Sequence, residues 1–179
     1  MGSVPAAEVA GTVPITWSIR RLCAMLGLIT LPILGLDQST KSYVAAHIRL
    51  YSSHQIIPNW LDVTYTLNPG AAFSFFSTMP AMARGIFFMG LSSIATVVLL
   101  VLIARASTSL SSCVGFAMIL GGTLGNFIDR LVRGRVIDFI FFHHDWFSYP
   151  VFNIADSAIT IGVAIILLTG IVGGRERLA

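Results

Sequence analysis

Charge is what this chain has least of. Only 11% of its 179 residues are Asp, Glu, Lys or Arg while 55% are hydrophobic, and an ordinary soluble domain carries about 25% charged residues. A water-soluble globule and a disordered chain are both excluded, the first for want of a polar surface and the second for want of polarity altogether. The net charge of +3 rests on 11 scattered basic residues, so no basic patch exists and a nucleic-acid module is excluded too. Lys41 is the single lysine and no serine stands in a Gly-x-Ser-x-Gly elbow, which leaves no nucleophile constellation built on Ser, Lys or His. The two cysteines, Cys23 and Cys113, form neither a disulfide framework nor a metal spacing. Both lie in apolar runs and read as core residues.

What the chain does have is long uncharged stretches, and a membrane span needs roughly 20 apolar residues. Residues 85–104 and 106–128 give windows of 20 and 23 uncharged residues, and residues 157–174 give 18 more after Asp156. That last helix starts upstream at Val151 and Phe152 and carries Asp156 within membrane depth. The first window, Leu22 to Leu36, has only 15 uncharged residues and spans only if the polar run Asp37 to Lys41 is drawn in as well. A cleaved signal peptide competes for this segment, but no small-x-small cleavage site follows it, and the helix continues through Tyr43, Val44, Ala45 and Ala46. Four spans are therefore expected, at about 22–46, 85–104, 107–129 and 151–173, in one membrane domain over 20–174. A disordered leader (1–19), a connecting segment (50–83) and a short tail (175–179) complete the chain. Charge counting does not orient it: Arg20, Arg21, Arg105, Arg175 and Arg177 on one side face Lys41, Arg49, Arg84, Arg130, Arg133 and Arg135 on the other, five against six.

In the longest connection, Leu61, Val63, Tyr65 and Leu67 alternate with Asp62, Thr64 and Thr66, the period of a strand with one greasy face. Asn68-Pro69-Gly70 supplies a turn, after which the run from Ala71 to Phe76 can pair back as a hairpin. Leu131 to Pro150 carries Phe139, Phe141, Phe142, Trp146 and Phe147 and reads as an interfacial loop or short helix. His143 and His144 are adjacent, without a third ligand at zinc spacing, and read as solvated or headgroup-contacting.

The carboxylates carry the chemistry. Asp37, Asp129, Asp138 and Asp156 lie in or beside apolar sequence, where each ionised group costs roughly 2.5–3.5 kcal/mol on insertion scales. Asp37 and Lys41, four apart on a helix, read as an ion pair. Asn126 with Asp129, and Asn153 with Asp156, repeat one arrangement, an amide three residues before an acid. The amides serve the acid, a bound peptide or, for Asn153, a helix cap. Asp138 has only apolar neighbours. If it meets Asp156, two carboxylates about 3 Å apart cannot both ionise and share one proton, giving a base that activates water and an acid that protonates the peptide oxygen. Such chemistry needs no cofactor and no metal. Intramembrane aspartates also serve ion-coupled transporters, and a non-catalytic scaffold is a third possibility.

Five ordered motifs narrow the choice. Asp37-Gln-Ser-Thr-Lys41, Asn68-Pro-Gly-Ala-Ala-Phe73, Gly121-Gly-Thr-Leu-Gly-Asn-Phe-Ile-Asp-Arg130, Val136-Ile-Asp-Phe139 and Phe152-Asn-Ile-Ala-Asp-Ser157 resemble those of bacterial lipoprotein signal peptidases (signal peptidase II), across roughly residues 20–172. The resemblance implies an all-α membrane protein of four transmembrane helices, with a small extracytoplasmic hairpin or sheet between helices 1 and 2, in the bacterial inner membrane. It implies an aspartic endopeptidase that cuts diacylglyceryl-modified prolipoproteins just before the lipidated cysteine, with Asp138 and Asp156 as the catalytic dyad. Asn68, Gly70, Asn126, Arg130 and Asn153 match positions that bind substrate or shape the site, and Asp37, Lys41 and Asp129 match structural ones. Asp129 would be held ionised by its neighbour Arg130. Lipid-modified prolipoprotein and membrane lipid are the expected partners of a monomer. Two departures, Pro69 where members often have Thr and a longer leader, leave the dyad untouched.

Overall fold

The computed structural model describes residues 18–70, 79–105 and 108–176. Most of the leader, the end of the tail and the run from Ala71 to Phe76 lie outside the described residues.

Ser18 caps α1 (Ile19–Met25) by accepting from the Arg21 amide. A π turn (Leu26–Thr30) leads straight into α2 (Leu31–His47). The wide turn directly precedes Pro32, whose ring has no amide to donate and no room for the carbonyl one turn back. Together these residues make one 29-residue helix, about 44 Å at 1.5 Å per residue, so it outreaches the hydrocarbon and carries Asp37 and Lys41 toward one end of the bundle. The other apolar helices are α3 (Ala81–Ala104), α4 (Leu110–Arg133) and α5 (Ile154–Glu176). All four are long and apolar enough to cross a membrane.

Helix α4 lies at the centre and is the most buried. Its small residues let the neighbours close in: a Cβ on Gly122 would collide with the Ala155 carbonyl, and one on Gly125 would sit 2.5 Å from Asp37 Oδ2. Such small-residue seams drive packing in lipid, where no hydrophobic force sorts helix from acyl chain. Cys113 is buried in the core with Met25, Leu99, Ile103, Ala117 and Leu120. Cys23 departs from expectation and is exposed on α1, an outward apolar position suited to lipid.

At the end of the bundle that carries Asp37 and Lys41 stand β1 (Ser53–Ile57), β2 (Leu61–Asn68), β3 (Val136–His144) and β4 (Phe147–Ser148), an antiparallel sheet in the order β1-β2-β3-β4. The connection after α4, expected as loop or short helix, is thus a pair of strands. Its first residues, Val136 to Phe139, are all buried, and Val-Ile-Asp-Phe, three apolar residues with one acid among them, shows no alternation of apolar and polar positions. Strand β2 pairs with β1 through a turn at residues 58–60 and on its other side with β3; the expected pairing of Ala71 to Phe76 after the turn at 68–70 lies outside the described residues. Gly134 closes α4 in the left-handed region (φ 72) and turns the chain into β3. Thr66 then pairs with Asp138. Phe152 bonds back to Ile140 in both directions at 2.8 and 3.0 Å, which fixes the start of α5 against β3.

Candidate active site

Asp138, on β3, is 2% exposed. Its Oδ2 accepts from Asn68 Nδ2 at 2.9 Å and its Oδ1 from Asn153 Nδ2 at 2.7 Å. Asp156, in the first turn of α5, accepts on Oδ1 from Asn126 Nδ2 at 2.8 Å and on Oδ2 from the Asn153 amide at 3.3 Å. Asn153 therefore touches both acids. It also caps α5, since its Oδ1 accepts from the Asp156 amide at 2.9 Å, making with Asp156 a reciprocal capping box. Capping of α5 and bonding to both acids thus fall to one residue.

Burial first, and then the charge of Asp156, push the Asp138 carboxyl up to about 7, against the pull of the Asn68 and Asn153 amides and of Lys41. No cation is bonded to either acid among the described residues. One acid that keeps its proton near neutrality, electrostatically coupled to another, is the composition of a proton-sharing pair. An aromatic cleft of about 440 Å³, lined by Phe142, Phe147, Tyr149 and Phe152 on one side and Ser157, Thr160 and Ile161 on the other, opens onto Asp156.

Arg130 rises beside the pair. Its Nη1 donates to the Asn126 carbonyl at 3.2 Å, its guanidinium lies 5.1 Å from the centroid of the Phe88 ring, and its buried Nε has no partner among the described residues. Gly70 adopts φ 99, donates to Asn68 Oδ1 at 2.8 Å, and presses on Phe88, where a Cβ would come within 2.6 Å. The Asn-Pro-Gly turn is thus clamped between the acid pair and α3.

The remaining acids form a separate cluster. Lys41, fully buried, is 2.8 Å from Asp37 Oδ2 and 3.0 Å from Asp129 Oδ2. Asp37 Oδ1 accepts from the Ala155 amide at 2.9 Å, Asp129 Oδ2 from the Ile137 amide at 3.1 Å, so the cluster ties α2 and α4 to α5 and β3. The cation beside Asp129 Oδ1 is Arg133, at 2.6 Å, and not Arg130 as the sequence suggested. One helical turn, not one residue, brings a side chain alongside. Nor does Asn126 serve Asp129: it reaches across to Asp156.

The family model for signal peptidase II matches residues 29–172. Lipoprotein signal peptidases of Syntrophus aciditrophicus and Yersinia enterocolitica are 40% and 43% identical to this chain, over 81% and 80% of it and 91% and 84% of their own lengths. The chain belongs to the signal peptidase II family. It is a multi-pass bacterial membrane peptidase, and two solved bacterial membrane enzymes share its fold. The alignment to a 2.3 Å structure has a TM-score of 0.73 at 29% identity, over 89% of this chain and 93% of that one. Alignment to a 1.9 Å structure gives 0.71 at 30%, over 88% and 97%.

Within this signal peptidase II chain, three contributors escaped the sequence reading. Gln38 reaches Asp37, the Gly125 carbonyl and Asp129 at 3.1 to 3.3 Å. Arg133 carried the same four-residue signal that paired Asp37 with Lys41. Phe88 carried none, being one aromatic in an apolar helix. His143 lies 3.1 Å from Asp62 and His144 packs on Trp60, partners that only the β2 to β3 pairing brings together.

Proposed function

We propose that this chain is an intramembrane aspartic endopeptidase that removes the signal peptide from diacylglyceryl-modified prolipoproteins, cutting on the N-terminal side of the lipidated cysteine. The observation that carries the reading is Asn153 bonded at once to Asp138 and Asp156, which holds two acids from distant segments at one point.

Asp156 sits in the first turn of α5, where the free amides and the helix dipole favour the anion. Asp138 sits on a strand without that support. Asp156 is accordingly the base: it takes a proton from water as the water oxygen attacks the scissile carbonyl carbon. Asp138 is the acid and protonates the carbonyl oxygen. When the tetrahedral diol collapses, the C–N bond breaks, the amine nitrogen takes a proton from the pair, and a hydroxyl returns its proton, so the pair again holds one. Arg130, with its spare buried donor, receives a substrate carbonyl. Asn68 and Gly70 present the turn to the substrate backbone, while Asn126 and Asn153 fix the acids. Asp37, Lys41 and Asp129 are structural.

The site end faces outward in the inner membrane, and the end bearing Arg20, Arg21 and Arg105 faces the cytoplasm. Lys41 and Arg133 at the opposite end are spent in ion pairs and drop out of the charge comparison. The substrate's lipid anchor fixes the depth of its scissile bond, and the aromatic cleft admits apolar chain while limiting water.

Purified protein in lipid, incubated with lipidated and unlipidated prolipoprotein, tests this. Cleavage is expected of the lipidated form only, and to disappear in Asp138→Asn and in Asp156→Asn without loss of fold. Full activity in either variant would dismiss the dyad, and a transporter or scaffold would cleave nothing.

A further inference from the structure

The reaction as written uses none of Lys41's charge, yet this side chain is fully buried within one residue of the acid pair. Its ammonium has three protons and meets three acceptors: Asp37 Oδ2, Asp129 Oδ2 and, at 3.1 Å, Asn126 Oδ1. The third contact bears on the reaction. A carboxamide has one accepting end and one donating end. Asn126 Oδ1 is engaged by Lys41 Nζ and, at 3.2 Å, by Asn153 Nδ2, so Nδ2 is left to face Asp156 Oδ1 at 2.8 Å. The reversed amide would set donors against an ammonium and a lone pair against a carboxylate.

We propose that Lys41 is a positioning residue for the acid pair: it locks Asn126 in the orientation that donates to Asp156, and so places the negative charge on Asp156 and the proton on Asp138. This goes beyond a structural ion pair and rests on the reading of Asp138 and Asp156 as the reacting groups. The charged groups around Lys41 are Asp37 on α2 and Asp129 on α4, with Arg133 beyond Asp129. Those acting on Asp138 are Asp156, Lys41 and Arg130. Lys41 opposes the upward push that burial and Asp156 exert on the Asp138 carboxyl.

The test is the pH dependence of lipidated-prolipoprotein cleavage by wild type, Lys41→Met, Lys41→Arg, Asn126→Asp and the double variant Lys41→Met/Asp37→Asn. The double variant removes one buried anion with the cation, so it decides the matter where Lys41→Met alone does not fold. Wild type should lose activity on the alkaline side as Asp138 gives up its proton. Removing a nearby cation favours the protonated acid, so in Lys41→Met and in the double variant this limb should move up by about one pH unit, with kcat down about 10- to 100-fold and KM unchanged. Lys41→Arg should return the limb toward wild type. Asn126→Asp keeps the lysine contact but has no proton to give Asp156, and should lose kcat to a similar degree. A double variant slowed with its alkaline limb unmoved, or Asn126→Asp at full rate, would make Lys41 architectural only. Activity persisting in Asp138→Asn, run alongside, would instead bring down the dyad itself.

Discussion

Asp129 and Asp138 are close in sequence and equally hidden, at 0% and 2% exposure, yet they live in opposite electrostatic worlds. Asp129 is bonded to two cations and a backbone amide. Asp138 is bonded to two neutral amides and faces another acid. The first arrangement compensates a buried charge, and the second withholds compensation so that a proton stays. Residue type and depth do not distinguish these two acids. The identity of the bonded partner does.

The comparison breaks most visibly under parallel substitutions. Asp156→Asn should cut prolipoprotein cleavage about a thousandfold or more while leaving the thermal transition in place. Asp129→Ala should do the reverse in kind: Lys41 and Arg133 lose a buried partner, a cost of about 3–5 kcal/mol, read as a large drop in Tm or in folded yield in detergent. A thermally unchanged Asp129→Ala would merge the two classes.

A second, smaller effect concerns pH and stability. Since folding raises the Asp138 carboxyl from 3.8 to about 7, the folded state binds the proton more tightly than the unfolded one. The resulting stability is full below about pH 4 and lost as pH rises through 7. Asp138→Asn cannot ionise, so its Tm relative to wild type should climb between pH 4 and pH 8. A constant difference would mean that Asp138 is already ionised in the folded protein. The smallest effect is expected at the turn: Gly70→Ala strains a φ of 99 and drives a Cβ into Phe88, so about 1–2 kcal/mol of stability should go, with slower cleavage as the turn shifts. Pairing it with Phe88→Ala should restore part of the loss.

The four helices were legible because lipid demands length and lack of charge, which are properties of a one-dimensional string. Strand β2 was legible because one of its faces is polar. Strand β3 was not: Val136 to Phe139 is buried on both faces, and three apolar residues interrupted by Asp138 carry no period to read. Asp138 and Asp156 were picked out by a lack of neighbouring cations and by ordered motifs, and the structure joins them through Asn153. The partners of Asp129 and Asn126 were misread because near residues in sequence were preferred to those a helical turn away or on another helix. Asn153 shows the limit from the other side: a helix cap and a donor to a buried acid predict the same residue, and nothing in the string says that one Asn is both.

The central claim is that one proton is held between Asp138 and Asp156, and infrared spectroscopy of protein in lipid, labelled with ¹³C at the aspartate carboxyls, measures it most directly. At pH 6 the difference between wild type and Asp138→Asn should contain a protonated carboxylic-acid band, and the difference between wild type and Asp156→Asn a carboxylate band. Two carboxylate bands at pH 6, with no carboxylic acid lost in either variant, would contradict the account.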